Sequence, residues 1–306
     1  MTVTAPLDGV RVFERGWLSS NNVLLAGEPG EGAVLVDSSH CLHAPQTLAL
    51  VRHALQGRPL ARVVNTHLHS DHCGGNAALQ RELGAAVTVP QASWATVQAW
   101  DEDALSYRAT GQRCERFDAQ AALAPGDVLR VGGRDWQALA APGHDPQSLM
   151  LFDARDGVLV SADALWENGF GVVFPELDGV QAFDEVAAVL DLIERLPVQQ
   201  VIPGHGAPFG DVAGALARAR SRLAGFRADP RRHARHGAKV LLKYHLMEER
   251  TQDWAGVLAW AEGTRLFGSI GRQLGWTDAS AGCRELVAEL VAQGALRTDA
   301  AQVHDA

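Results

Sequence analysis

From Val10 to about Ile202 the chain alternates short runs of aliphatic and β-branched residues with stretches whose apolar positions recur three and four apart. Period-two or continuous apolar runs predict strands and the longer period predicts helices. Residues 23–26 and 33–36 read as strands of a hairpin, joined across Gly27-Glu28-Pro29-Gly30-Glu31-Gly32. Further strands are predicted at 62–65, 128–131, 136–140, 149–152, 158–160 and 200–202. Helices are predicted at 46–56, 76–83 and 182–196; in the last, Val186, Val189, Leu190 and Ile193 share one face. Gly84 is placed to cap the second of these helices. Residues 93–112, with Trp94, Trp100 and Tyr107, interrupt the alternation as a helical insertion.

Beyond about Asp211 the strand signals largely stop. Helical spacing returns at 212–227, 238–249, 252–262 and 281–293, with Pro230 as a break, and the small polar tail from Leu296 is expected to fray. These patterns predict a layered α/β domain over residues 1–215 and a helical, winged-helix-like domain over 216–306. Inside the first part there is a short echo. Val34-Leu35-Val36-Asp37 resembles Val158-Leu159-Val160-Ser161-Ala162-Asp163, and Val63-Val64-Asn65-Thr66-His67 resembles Val201-Ile202-Pro203-Gly204-His205. In each half one apolar strand runs into an Asp and another into a His.

Composition narrows the classes. The 306 residues are 47% hydrophobic and 21% charged, enough to bury a sizeable core. The net charge of −9 argues against nucleic acid as a partner. Four cysteines, Cys41, Cys73, Cys114 and Cys283, form no CxxC pair and predict free thiols. The first residues lack a basic and then apolar leader, and no run is long enough to span a bilayer. A cytoplasmic protein acting on a small molecule, without membrane association, is expected, and a homodimer is compatible with the sequence.

The chemistry concentrates in Thr66-His67-Leu68-His69-Ser70-Asp71-His72-Cys73-Gly74-Gly75-Asn76, between an apolar strand and a helix. In an extended segment residues two apart point the same way, so His67 and His69 can face one metal. Asp71 and His72 lie just beyond and can reach a second. Imidazole and carboxylate suit zinc, and imidazole also suits iron. Three more candidates follow strands: His144 in Pro142-Gly143-His144, Asp163 after residues 158–160, and His205 in Pro203-Gly204-His205-Gly206. Strand ends are where α/β sheets gather ligands.

The ordered set His-x-His-x-Asp-His, Pro-Gly-His, strand-terminal Asp and Pro-Gly-His-Gly closely resembles the metallo-β-lactamase superfamily over residues 10–210. The resemblance implies an αββα sandwich with metals at one edge. It further implies that His67, His69 and His144 hold one metal, that Asp71, His72 and His205 hold another, and that Asp163 bridges them. Asp37 would accept a hydrogen bond from a ligand. The cofactor implied is two divalent ions, zinc first, with iron or manganese as alternatives, and Asp71 and Asp163 as the carboxylates of catalysis. A metal-bridging hydroxide would then attack an ester, thioester or lactone. Antibiotic-hydrolysing members generally lack the bridging Asp, so a glyoxalase II-like or lactonase-like enzyme is expected instead.

Three positions depart from the family pattern. Ser39 stands where Asp-x-Gly is usual, Asp145-Pro146-Gln147 replaces Thr-Pro-Gly, and Ala162 precedes the bridging Asp in place of Gly. Residues 213–245 carry nine Arg or Lys and one acidic residue, Asp229. By analogy with glyoxalase II-like enzymes this stretch could receive an anionic tail such as glutathione or coenzyme A. Trp17, Trp166, Phe170 and the aromatics of the insertion are candidate pocket walls. Two rival readings remain: a mononuclear-iron persulfide dioxygenase using His67, His144 and Asp163, and a signal-response protein with incidental hydrolysis.

Overall fold

The computed structural model describes residues 7–306. Its first half runs β1 (Val10–Phe13), β2 (Asn22–Leu25), β3 (Ala33–Val36), α1 (Ala44–Leu55), β4 (Leu60–Val64), α2 (Ser70–Cys73), α3 (Asn76–Leu83), β5 (Ala86–Pro90), α4 (Trp94–Ala99), α5 (Tyr107–Thr110) and β6 (Ala121–Leu123). The second half runs β7 (Val128–Val131), β8 (Arg134–Ala140), β9 (Leu149–Asp153), β10 (Val158–Ala162), α6 (Phe174–Leu177), α7 (Phe183–Arg195) and β11 (Gln200–Pro203). Strands of the first half form a six-stranded sheet in sequential order, and those of the second a five-stranded sheet ordered β11-β10-β9-β8-β7.

Strands β2, β3, β9 and β10 are buried on both faces, which explains their continuous apolar runs, whereas β7 and β8 alternate buried and exposed residues. Val23, Leu25, Val34, Val36 and Val64 of the first sheet meet Trp136, Leu149, Leu151, Val158, Val160 and Ile202 of the second in one core. The alternate residues of the first sheet, Leu24, Leu35 and Val63, pack outward with Val51, Leu55 and Leu79 of α1 and α3. On the far side Leu159 and Val201 pack with Val186, Val189, Leu190 and Ile193 of α7 and with α8 (Val212–Ala228). The layers are therefore α, β, β, α, as the sequence implied.

The internal echo has a structural counterpart. β3 pairs β4 in parallel, and β10 pairs β11 in parallel. Asp37 and His67 follow the ends of the first pair, and Asp163 and His205 follow the ends of the second.

The rest of the chain is α9 (Pro230–Glu249), β12 (Thr251–Asp253), α10 (Trp254–Gly263), α11 (Arg265–Leu274), α12 (Ala279–Ala292), β13 (Leu296–Thr298) and β14 (Gln302–Asp305). The chain breaks at Pro230 as expected, between α8 and α9: Asp229 caps α9 and proline occupies its first turn, where its missing N–H costs nothing. The tail does not fray. β13 and β14 pair with each other and with β12 in a three-stranded sheet, and Leu296 and Val303 are fully buried. Two apolar residues separated by polar ones are too sparse to signal strands on their own. The insertion is only partly helical, and its aromatics are core: Trp94, Trp100 and Tyr107 pack on the outer face of the first sheet.

The basic run 213–245 lies on acidic partners. Six of its nine cations pair with carboxylates: Arg218, Arg220, Arg227, Arg235, Lys239 and Lys243. Arg222 lies over Phe170 and Phe226, and Arg231 donates to the Leu274 carbonyl. The far end of α9 meets the sandwich instead. There Glu248 Oε1 accepts from His40 Nε2 at 2.9 Å, with both side chains almost wholly buried. Burial alone would lower the His40 pKa, but hydrogen bonds with Cys41 and Glu248 and their charges raise it to about 9. His40→Ala strands the Glu248 carboxylate and is expected to cost about 3 kcal/mol. Because the folded pKa lies above the unfolded value near 6.5, the pair contributes fully below that pH and fades as pH rises through about 9. Urea unfolding of both proteins should show the largest difference at pH 6 and a much smaller one at pH 10; equal differences would contradict this account.

Candidate metal centre

Seven side chains from both sheets converge at one edge of the sandwich. His67 and His69 lie in the loop after β4, Asp71 and His72 in α2, His144 after β8, Asp163 after β10 and His205 after β11. The structure brings together all seven positions that the sequence singled out, and each is at most 7% exposed. Their ligand atoms form three groups compact enough for a cation: His67 with His69 and His144; Asp71 with His72 and His205; and His67 with His72 and Asp163.

In the first group His69 Nδ1 lies 3.1 Å from His67 Nε2 and 2.8 Å from His144 Nε2. The Nδ1–H of His144 donates to the Val172 carbonyl at 2.6 Å, which leaves Nε2 as a lone pair facing inward. In the second, His72 Nδ1 donates to Asp37 Oδ2 at 2.8 Å, and its Nε2 is buried without a hydrogen-bond partner. Across from it, His205 Nε2 lies 3.0 Å from Asp71 Oδ2. Asp163 stands between the groups, with Oδ2 3.3 Å from His144 Nε2 and Oδ1 3.5 Å from His72 Nε2. Converging lone pairs, an orphaned ring nitrogen and two carboxylates make a donor set that fits two divalent cations.

Electrostatics follow the same division. Burial and the neighbouring imidazoles hold His67 well below the usual histidine range. Burial takes His69 and His144 down to about 4, so the first group stays neutral and able to donate lone pairs. Burial opposes charge on His72 too, but Asp163, Asp37 and Asp71 outweigh it and hold its pKa well above the usual value. The cations opposite likewise overcome burial at the carboxylates: Asp71 falls to about 2, and Asp163 lies well below the ordinary range.

Local backbone explains how the side chains arrive. Asp37 ties the first hairpin to the ligand loop, accepting from Thr66 N, Thr66 Oγ1 and His72 Nδ1, each at 2.8 Å. Such a partner fixes both tautomer and ring orientation. Asp37, Ser39 and Ala162 have φ of 57°, 70° and 47°. Two of the three departures from the family pattern, Ser39 and Ala162, therefore occupy left-handed backbone that glycine adopts more cheaply. Ser39 has a reason to keep its side chain: its hydroxyl accepts from Arg15 Nη1 at 2.9 Å and meets Asn22 Oδ1 at 2.9 Å. The third departure, Asp145, caps its own turn through Gln147 N at 2.8 Å and lies 3.9 Å from the outward Nε2 of His69.

Several neighbours are not evident from sequence. Asn21 binds the carbonyls of Pro203 and Gly206 and so anchors the His205 loop; the polar run Ser19-Ser20-Asn21-Asn22 leading into a buried strand is its only signal. Tyr244 of α9 reaches Ser70 at 2.9 Å, a contact across 174 residues that no local pattern encodes. Phe174 sets its edge against His69 and His144. Trp17 and Trp166, expected as walls, flank His205: Trp17 stacks on it with centroids 5.3 Å apart, and Trp166 also donates to Asp163 Oδ1 at 3.2 Å. Phe170 is core. His233 accepts from Val173 N, His236 meets Arg222 and His245 meets Gln252; none belongs to a ligand group, and His233 and His245 are buried. Cys73 packs in the core with its thiol 3.2 Å from Tyr107 Oη.

Gly204 is required by space. A Cβ there would come within 2.2 Å of Asp163 Oδ1 and 3.0 Å of His72 Cε1. Gly204→Ala is expected to leave the fold intact, as read by circular dichroism, while metal affinity falls roughly ten- to a hundred-fold in a chelator competition. Unchanged affinity would contradict the crowding.

Known proteins share this architecture. The chain resembles the acyl-coenzyme A thioesterase MBLAC2 of Bos taurus, 31% identical over 164 residues, covering 50% of this chain and 58% of that one. It also resembles a hydroxyacylglutathione hydrolase of Rhodopseudomonas palustris (strain HaA2), 30% identical over 158 residues, covering 51% of this chain and 52% of that one. The chain thus spans little more than half the length of either relative. The crystal structure of the metallo-beta-lactamase family protein TTHA1429 from Thermus thermophilus superposes with a TM-score of 0.57 at 20% identity, over 98% of this chain and 99% of that one. A family model described as the metallo-beta-lactamase superfamily matches residues 15–207, and with that match covering more than half of its residues the chain belongs to the metallo-β-lactamase superfamily.

Proposed function

We propose that the chain is a dinuclear metal-dependent hydrolase acting on a thioester of a small acyl group. The observation that carries this is the position of Asp163, whose two oxygens face the two histidine groups separately. Relatives that act on coenzyme A and glutathione thioesters support the substrate class. An intact second group, Asp71, His72 and His205, favours two metals over the single-iron alternative.

His67, His69 and His144 would hold one ion, Asp71, His72 and His205 the other, and Asp163 both. Bound there, two divalent ions supply Lewis acidity towards a carbonyl and a water made acidic enough to react at neutral pH. The chain's own residues prepare the place. Neutral imidazoles on one side and carboxylates on the other match the charge of the ions. Asp37 fixes the His72 ring, and Trp166 holds one Asp163 oxygen by its indole N–H. Trp17, Trp166 and Phe174 crowd the ligand rings and limit bulk water, which strengthens every electrostatic contact within. Hydrolysis adds water across the C–S bond and yields a carboxylic acid and a thiol.

We also assign the chain beyond α8 to a separate winged-helix-like domain, supported by helices packed on the small sheet β12-β14-β13; of the expected span 216–306, α8 packs on the sandwich and belongs with it. Its α9 reaches the site by way of Tyr244 and Glu248. Among the described residues no helix is long and apolar enough to cross a membrane.

Elemental analysis of the purified protein should find about two metals per chain, with zinc expected first. Asp163→Ala should lose at least one of them and lower kcat/KM on acyl thioesters about 10³-fold. Full activity with metal retained would overturn the proposal, as would one iron per chain with oxygen uptake on a persulfide.

A further inference from the structure

Beside the metal centre lies a cleft of about 380 Å³ lined by Trp17, Leu18, Leu42, His43, Met247, Glu248 and Arg250, with Gly16 at its edge. That volume falls within the range of small-molecule sites. Three segments build it, and each is fastened to the ligands. The loop with Trp17 and Leu18 continues to Ser20, whose N–H donates to the Asp71 carbonyl. The turn with Leu42 and His43 is tied back through His43 Nδ1 to Ser19 Oγ at 2.7 Å. The end of α9 is held by His40–Glu248 and, one turn earlier, by Tyr244–Ser70 beside His69 and Asp71. Trp17 belongs to both places: the indole that lines the cleft also stacks on His205.

The lining shows what the cleft can recognise. Its charges are already matched: Glu248 with His40, and Arg250 with Asp305 at 3.0 Å. Burial and the cations Arg15, His40 and Arg250 lower the His43 pKa, which keeps that ring neutral. Beside these polar groups the cleft exposes apolar surface. Among the described residues four large hydrophobic side chains are exposed, and two of them, Trp17 at 62% and Leu42 at 48%, face this one cleft. Exposed aromatic and aliphatic groups gathered in a concavity mark a binding site rather than chance. Arg250 ends α9 as its cap, at φ 63°.

We propose that this cleft is the acyl-chain subsite of the enzyme and takes an unbranched apolar chain of medium length. This rests on the thioesterase reading above and adds the substrate's acyl class to it. At about 30 Å³ per water-sized group, the volume holds on the order of a dozen heavy atoms. The chain would run from the scissile carbonyl at the metals past Trp17 and between Leu42 and Met247.

The test uses the metal-loaded full chain and thioesters that differ only in the acyl group: acetyl- and decanoyl-N-acetylcysteamine. In the wild type kcat/KM should be roughly ten-fold or more higher for decanoyl, since buried methylenes favour the bound state. Leu42→Asp, at an exposed position that tolerates charge, should reduce the decanoyl-to-acetyl ratio by about ten-fold, and Met247→Gln should reduce it less. Metal content and circular dichroism should match the wild type. A flat length dependence, a preference for lactoylglutathione over decanoyl, or an unchanged ratio in Leu42→Asp would overturn the subsite. A decyl thioether of N-acetylcysteamine, which cannot be hydrolysed, separates this inference from the thioesterase reading. Calorimetric binding to the wild type that is lost in Leu42→Asp, with no thioester hydrolysed, would retain the apolar cleft and reject the thioesterase. Hydrolysis without thioether binding would do the reverse.

Discussion

Asp163 is the point on which the site depends. It is a buried carboxylate within 4 Å of three imidazoles from three separate segments, His72, His144 and His205. A negative charge there is tolerable only because those rings, and the cations they are arranged to hold, surround it. Everything near it is fitted to that condition. Trp166 donates to one oxygen, Gly204 leaves room for the same oxygen, and β10 bends into a left-handed Ala162 to aim the side chain inward. The register shift between β10 and β11 falls at the same place, between Val160 and Ala162.

The two half-sandwiches contribute unequally to this arrangement. The first gives four candidate ligands in one continuous stretch, with Asp37 buried behind them as acceptor. The second gives three, each from a different loop. The concentrated half needs local order, supplied by α2 and the Asp37 hydrogen bonds. The dispersed half needs a rigid frame, supplied by the antiparallel β8-β9-β10 core with Trp136 fully buried within it. The C-terminal region adds no candidate ligand. It reaches the centre with the last two turns of α9, which close one wall and leave the cleft beside Trp17.

Much of this is legible in the amino-acid sequence, and for physical reasons. Strands buried on both faces read as apolar runs, so the pattern predicts β3, β9 and β11 to within about two residues, and β8, which alternates buried and exposed residues, is predicted as closely. It predicts α3 with its bounds and its Gly84 cap, because periodicity and stop signal agree there. The histidine cluster stands out because a His-x-His-x-Asp-His run after a strand has little structural use otherwise. Short, half-exposed or mixed segments are illegible: β1, β5, β6, α11 and the terminal strands carry too few patterned residues to beat chance. The pairing of the basic run with the acidic body, and Tyr244 with Ser70, depend on tertiary placement. The left-handed Ser39 and Ala162 are hidden too, since neither residue type advertises that backbone.

The ligands' spacing along the chain has a consequence for how the molecule is made. His69 meets His144 across 75 residues, and Asp71 meets His205 across 134. Contacts of such high sequence separation form late, after shorter loops have closed. During synthesis the first four ligands leave the ribosome long before the last, and they wait within a half-sandwich whose inner face is still uncovered. Docking of the second sheet completes the donor set and covers that face in a single event. Ions held by all seven positions would therefore bind only after both halves have docked, and their binding free energy would add to the stability of the folded state.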